Sequence, residues 1–519
     1  MSQLLTLPQT LPLLDNEFWW GGRNADGTLM PLGSTSLHRV CLADDLRSNQ
    51  GAPFLVSSAG RYLWCDLPFT YEIADGAITL TGTTAKIQLS DGHGTLAGAF
   101  REACRGHFPA SGKTPPEEFF RVPQYNTWIE LTHNQTQPGI LDYARALLDS
   151  GFPPGVLMID AGWAPYWGKF GFDPARFPDP RAMVAQLKAL GFRVMLWVCP
   201  FISPDSVEFR RWRDQTGWLL RDRTGKPAIL EWWDGHSAHL DLTDPNAMGW
   251  LRGELRRLQS ETGFDGFKFD AGDTTHFIHR PASVLQASPV ELTESWARLG
   301  LEFPFNEYRA CWKMGGQPLV QRLHDRTASW DENGLQSLIP NGIAQGLLGH
   351  PFICPDMVGG GEYMYFKRPD FAPDQELFIR SAQASALFPM MQFSSLPPRV
   401  LSQENLARCL AAVEIHTSYA EEIIALAHAS ATTGEPILRP LEWSFPHLGY
   451  HSVIDQFLLG DNLMVAPVLS PRAESRNVFI PPGLWHDDLG NTVEGPTEIE
   501  TPVDLNRLPR WRRQSLARW

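Results

Sequence analysis

The pattern of apolar and polar positions changes twice along the chain. Residues 1 to about 115 carry short alternating runs between turn formers, such as "RYLWCDLPFTYEI", "GAITLTG" and "AKIQLSDG". Alternation with period two over runs this short predicts antiparallel β-strands. From about 116 to 430 the pattern becomes strand and helix in turn. "QPGILDYARALLDSG" (137–151), "DPRAMVAQLKALG" (179–191) and "DPNAMGWLRGELRRLQSETG" (244–263) have helical spacing, with Pro near the start and Gly at the end. Between and after them, "QYNTWIEL" (124–131), "GVLMIDAGW" (155–163), "FRVMLWVCPFI" (192–202) and "FDGFKFDAG" (264–272) read as strands. Four more strand candidates follow: "PLVQRL" (318–323), "TASWDEN" (327–333), "PFICPDM" (351–357) and "ALFPMMQF" (386–393). Eight strands in β–α alternation predict an α/β fold with a closed (β/α)8 TIM barrel rather than an open sheet. Residues 431–519 return to short strands and turns. The expected organisation is a β-sandwich-like domain over 1–115, the barrel over 116–430 and a C-terminal β domain over 431–519, with "SGKTPPEE" (111–118) as a linker.

Charge narrows the function. Lys and Arg number 44 and Asp and Glu 58, a net of −14 among 519 residues. That balance speaks against a nucleic-acid grip, which needs basic stripes, and against docking on anionic lipid. The N-terminus has no basic leader segment and prolines interrupt its apolar run, so neither a signal peptide nor a membrane span is expected. Seven scattered cysteines with no CxxC pair fit reduced thiols in a cytoplasmic protein. A homo-oligomer is compatible with all of this.

A barrel of this kind carries its chemistry where the strands end. The polar or aromatic residues expected there are Asp160, Trp197, Lys268, Asp270, Arg322, Trp330, Asp331 and Asp356. One aspartate at a strand end is usually a cap or turn former. Four on successive strands, beside cations and tryptophans, suit glycosidic-bond cleavage, in which one carboxylate attacks and a second donates a proton. Asp325 in "LHDRT" competes with Asp331 for the proton-donor role. "THFIHR" puts His276 and His279 three apart near Asp270 and Asp273, which could imitate a metal site. No metal and no cofactor is expected.

Four motifs carry a resemblance to glycoside hydrolase family 31, the retaining α-glycosidases. They are "HLDLTDPNAMGW" followed by "GFDGFKFDAGD", "WDENGLQSLIPNGIAQGLLGHPFICPDMVGGG", "FLLGDNLMVAPVLS" and "VFIPPGLWHDD". The resemblance runs from about residue 115 to 490. It implies that Asp270 is the nucleophile and Asp331 the best match for the acid/base, in a motif contracted here. It further implies substrate-binding roles for Asp160, Trp233, Arg322 and Asp356, and puts Asp273 where the motif has glutamate.

Two positions depart from the family's glucosidases. Lys268 stands where they carry Trp, and "LFPMMQFSS" lacks their histidine near the last strand. Both belong to the sugar pocket, so the recognised hydroxyls should differ. "KFDAG" and "PDMVGG" are more similar to the branch of the myogenesis-regulating glycosidase and bacterial α-galactosidases. The expected activity is therefore exo-acting, retaining and α-galactosidase-like on a small or oligosaccharide α-glycoside. The alternatives are another α-glycosidase such as an α-glucosidase, a transglycosylase, or a non-catalytic carbohydrate-binding relative.

Overall fold

The computed structural model describes residues 2–44, 46–47 and 49–514. The N-terminal region folds into two sheets. One is four-stranded and antiparallel, built from Gln9–Pro12, Ala77–Thr81, Thr70–Ala74 and His38–Cys41. The other is centred on Gln50–Ser57, whose eight residues are all buried. Tyr62–Trp64 and Trp19–Arg23 pair antiparallel with that strand. Its remaining edge at Gln50 and Gly51 pairs in parallel with Cys311–Trp312, a segment that arrives from the middle of the chain.

Eight parallel strands form the central sheet: β1 (Gln124–Asn126), β2 (Val156–Ile159), β3 (Arg193–Val198), β4 (Gly266–Phe269), β5 (Phe305–Tyr308), β6 (Gln321–Arg322), β7 (Ile353–Cys354) and β8 (Gln392–Phe393). β8 pairs with β1, and a single parallel bridge from Met357 to Gln392 closes the ring beside β7. Helices α1 (Gln137–Asp149), α2 (Pro180–Ala189), α3 (Pro245–Thr262) and α4 (Pro289–Gly300) follow the first strands. Their starts are written locally. Thr136, Asp179 and Asp244 each accept an N–H of the first turn, and proline occupies the opening positions where an N–H has no partner.

The TIM barrel, the flanking β region and the C-terminal β region match the expected architecture. Two barrel strands do not lie where the sequence pattern put them. Residues 327–333 form no strand; they fold into a turn in which Thr327 N–H donates to the Asn333 carbonyl at 3.0 Å. The missing strand is β5, and it buries a polar residue on each face: Glu307, level with Lys268, points inward, and Asn306, level with Phe267, points outward. Asn306 bonds the carbonyls of Phe303, Pro304 and Pro318, and Glu307 accepts from Gln392 Nε2 at 2.8 Å. A strand that buries an amide and a carboxylate shows no apolar alternation. Residues 124–131 likewise hold only three strand residues, because the Asn126 side chain accepts from Trp128 N–H and turns the chain into a helical turn at Trp128–Leu131.

The C-terminal sheet has six strands, with Ser475–Asp487 and Thr492–Pro502 as its long hairpin and Trp485 and Trp511 in its core. All seven cysteines are free thiols, six of them buried. Among the described residues no helix is long and apolar enough to cross a membrane.

Candidate active site

β4 sets the site by alternation. Phe267 and Phe269 point outward onto Phe303, Trp296 and Tyr308. Lys268 and Asp270 therefore point into the barrel. Register puts Lys268 level with Trp197 of β3 and Glu307 of β5. Asp270 lies one residue past β4, and its N–H still donates to the Val198 carbonyl at 2.9 Å. The chain then reverses through Ala271 and Gly272, both at positive φ. A side chain at Gly272 would meet Trp296 at 2.6 Å, so this position accepts only glycine.

These residues open into a cavity of about 470 Å³. Asp160, Trp197, Trp233, Lys268, Asp270 and Arg322 line it, as expected from sequence. Trp197 Nε1 donates to Asp270 Oδ2 at 2.7 Å, and Ala271 N–H donates to Oδ1 at 3.0 Å. Lys268 Nζ donates to Asp160 Oδ2 at 2.8 Å and stands 3.8 Å from Asp270 Oδ2. Arg309 Nε lies 3.5 Å from Asp270 Oδ1. Burial favours the protonated form of Asp270, but Lys268, Arg309 and Arg322 outweigh it and hold the carboxyl below its ordinary range. Burial opposes the charge on Lys268 as well, and Asp160 and Asp270 overcome it, so the ammonium is retained.

Asp325 and Asp331 part company here. Asp325 lines the cavity, with Oδ1 accepting from Arg322 Nη1 at 2.6 Å and Oδ2 from Arg309 Nη1 at 3.1 Å. Against the upward pull of burial, these guanidiniums and Lys268 hold it down to about 2. Asp331 is exposed and is not part of the cavity wall. Its Oδ1 accepts from Ser329 Oγ and Asn333 N–H and closes the turn that replaces the expected strand. Trp330 also faces elsewhere, its Nε1 donating to Asp374 at the start of a helix.

Asp356 and Asp273 stand behind the wall, both fully buried. Asp356, at φ 69°, accepts from Arg322 Nη1 at 2.7 Å and from Arg326 N–H at 3.0 Å. Asp273 accepts from Arg309 Nη2 at 3.2 Å. They orient the two arginines from the rear. His276 packs against Trp233 and Phe201, and His279 is exposed. Among the described residues no group of three or more His, Cys, Asp or Glu is placed to hold a metal ion.

Sequence reasoning missed Arg309, because it missed the strand that carries it. It also missed Asp234, Trp128, His133 and Tyr363 on the cavity wall. Trp128 and Tyr363 open four-residue helical turns, His133 lies on a loop, and Asp234 is in the turn between Ile229–Trp232 and Gly235–His239, where no periodicity marks them. Asp234 is raised by burial and by Asp270 and Asp160, with His133 opposing. Trp128, His133 and Tyr363 form one aromatic cluster at the mouth, with ring centroids 5.0–5.9 Å apart.

Comparison with known proteins places this geometry among its relatives. Residues 123–405 match the Glycosyl hydrolases family 31 TIM-barrel domain, and residues 434–515 match the Glycosyl hydrolase family 31 C-terminal domain. The myogenesis-regulating glycosidase of Mus musculus is 34% identical over 418 residues, which are 78% of this chain and 58% of that protein. An alpha-xylosidase of Emericella nidulans is 25% identical over 449 residues, 78% of this chain and 55% of that protein. The chain thus spans little more than half the length of these relatives. A family 31 alpha-xylosidase from a soil metagenome, solved with xylose, shares the fold at a TM-score of 0.84 and 18% identity, over 99% of this chain and 81% of its own.

Proposed function

The chain belongs to glycosyl hydrolase family 31, and on that premise we propose that it cleaves α-linked glycosides with retention of configuration. Asp270 is the nucleophile and Asp325 the acid/base. The observation that carries this reading is Arg309, whose one guanidinium touches Asp270 and Asp325 together at the floor of a sugar-sized cavity.

In the first step an Asp270 oxygen attacks the anomeric carbon. The glycosidic C–O bond breaks, and the Asp325 proton goes to the leaving oxygen. In the second, water attacks the anomeric carbon of the glycosyl ester. Its proton goes to Asp325, and Asp270 leaves as a carboxylate. The held-down Asp270 carboxyl suits a nucleophile. With both guanidiniums in contact, Asp325 is ionised, the form the second step needs. It gains its proton for the first step when sugar hydroxyls compete for Arg309 and Arg322. An acceptor sugar in place of water makes the same steps a transglycosylation.

One observation favours a second assignment of the acid. Asp234 lines the same cavity, and burial, with Asp270 and Asp160 adding to it, holds its carboxyl above the ordinary range. Leaving groups of graded acidity separate the two. The true acid, replaced by Asn, makes kcat/KM depend steeply on leaving-group pKa, and the other does not.

The sugar we assign is galactose-like. Lys268 and Asp160 form a donor–acceptor pair on the cavity wall where an apolar plate would recognise no hydroxyl. Galactose also presents a continuous apolar face opposite its axial hydroxyl, which suits stacking on the cavity tryptophans. Turnover of aryl α-galactoside, α-glucoside and α-xyloside, with product stereochemistry by NMR, tests both halves of the reading. Preference for the glucoside overturns the sugar assignment, and a β-configured first product overturns retention.

A further inference from the structure

Arg309 and Arg322 define the charge of the site, yet the barrel ladder hardly ties them to each other: Arg322 pairs with Cys354 of β7. Arg309 is the first residue past β5, and Arg322 is the last of β6. β5 and β6 share one register pair, Tyr308 with Gln321. The carbonyls of the two arginines are bridged from outside the barrel. Asn49 Nδ2 donates to the Arg309 carbonyl at 2.8 Å and to the Arg322 carbonyl at 3.2 Å. Gln50 Nε2 donates to the same two carbonyls, each at 3.0 Å.

Both amides are wholly buried, and both stand at the start of the central strand of the N-terminal sheet. Asn24, also buried, sets which way they face. Its Nδ2 donates to Asn49 Oδ1 and, at 2.7 Å, to Gln50 Oε1, while its Oδ1 accepts from Gln50 N–H at 3.0 Å. With the amide oxygens engaged by Asn24, the amide N–H groups are turned to the arginine carbonyls, and Gln50 Nε2 also reaches Gln321 Oε1 at 3.0 Å. The parallel pairing of Gln50 and Gly51 with Cys311–Trp312 locks this strand to the segment that joins β5 to β6.

We propose that Asn49 and Gln50 are positioning residues for the reaction: a two-amide clamp, supplied by the N-terminal sheet, that fixes the spacing of Arg309 and Arg322 and so the charge felt by Asp270 and Asp325. The proposal rests on the roles given above to those two carboxylates. It makes the N-terminal region a working part of the active site, although none of its described residues lines the cavity wall. Buried amides that touch neither the carboxylates nor the guanidiniums could equally be structural glue, so the test needs readouts that glue does not move.

Asn49→Ala and Gln50→Met remove the donors with little change in bulk for the second. Gln456→Met is the control: it deletes a buried amide bonded to the Phe479 main chain in the C-terminal sheet, remote from the arginines. Crystal structures of all three are read beside kcat, KM and the pH profile on aryl α-glycosides. Each clamp variant is expected to displace an arginine carbonyl, lower kcat at least about tenfold and move the acidic limb of kcat/KM to higher pH. The limb moves that way because retreating guanidiniums release carboxyls they now hold down. The control is expected to lose thermal stability with the profile unchanged. If a clamp variant keeps both guanidiniums in place and the wild-type profile, the positioning role is overturned. The same holds if the control moves the profile as far. Should either clamp variant fail to fold, Asn49→Ser keeps one donor and is expected to show an intermediate shift, with no shift overturning the proposal. The crystal structures decide the clamp even if no aryl glycoside is turned over, a result that sinks the functional reading separately.

Discussion

Lys268 Nζ sits 2.8 Å from Asp160 and 3.8 Å from Asp270, so one ammonium serves a carboxylate on β2's end and another on β4's end. All three groups are buried. Removing the ammonium leaves Asp160 without its cation and lets the Asp270 carboxyl rise. Lys268→Met is expected to cost about 3–5 kcal/mol in urea unfolding at neutral pH, the range for breaking a buried pair from one side. It should also lower kcat/KM on aryl α-galactoside at least about 100-fold, since a ligating group and a nucleophile's counter-charge are lost together. A variant as stable and as active as wild type rejects this account.

Asp325 and Asp331 are six positions apart in sequence, and only the first faces the cavity. Asp325→Ala is expected to lower kcat about 10²- to 10⁴-fold on substrates with poor leaving groups. The loss should shrink on dinitrophenyl glycosides, whose leaving oxygen needs no proton. Asp331→Ala should stay within about twofold throughout, as an exposed turn residue. The reverse pattern returns the acid role to Asp331.

Asp270 should be the residue that a fluorosugar or aziridine inactivator modifies. Peptide mass mapping is expected to find the label on the segment spanning Gly266–Phe269 and Asp270, with inactivation abolished in Asp270→Ala. Labelling elsewhere, or none at all, removes Asp270 as the nucleophile and favours a non-catalytic binding role.

Acid stability follows from Asp325. Its folded-state value, about 2, lies below its unfolded value near the ordinary range. A depressed carboxyl contributes stability that is fully present above the unfolded value, about pH 4, and is lost as pH falls towards about 2. Asp325→Asn is therefore expected to be less stable than wild type at pH 6, with the gap closing as the pH is lowered from 4. A gap independent of pH would mean that packing, not charge, accounts for the difference.

Much of this was legible in the chain itself. Period-two runs and capped helices of helical spacing fixed the β, β/α and β order, because burial on one face writes its period into the residues. Asp160, Lys268 and Asp270 were legible for the same reason: each ends or nearly ends an apolar strand, so alternation alone aims it inward. Tertiary structure decided what alternation cannot express. β5 was hidden because it buries Glu307 on its inner face and Asn306 on its outer one, and Arg309 was hidden with it. Asp325 rather than Asp331 reached the cavity because two guanidiniums draw it in while Asp331 closes a turn with Ser329 and Asn333. The amides of Asn49 and Gln50 meet carbonyls some 260 and 272 positions away. A sequence pattern records a residue's own periodicity, and contacts between elements that far apart exist only once the sheets have packed.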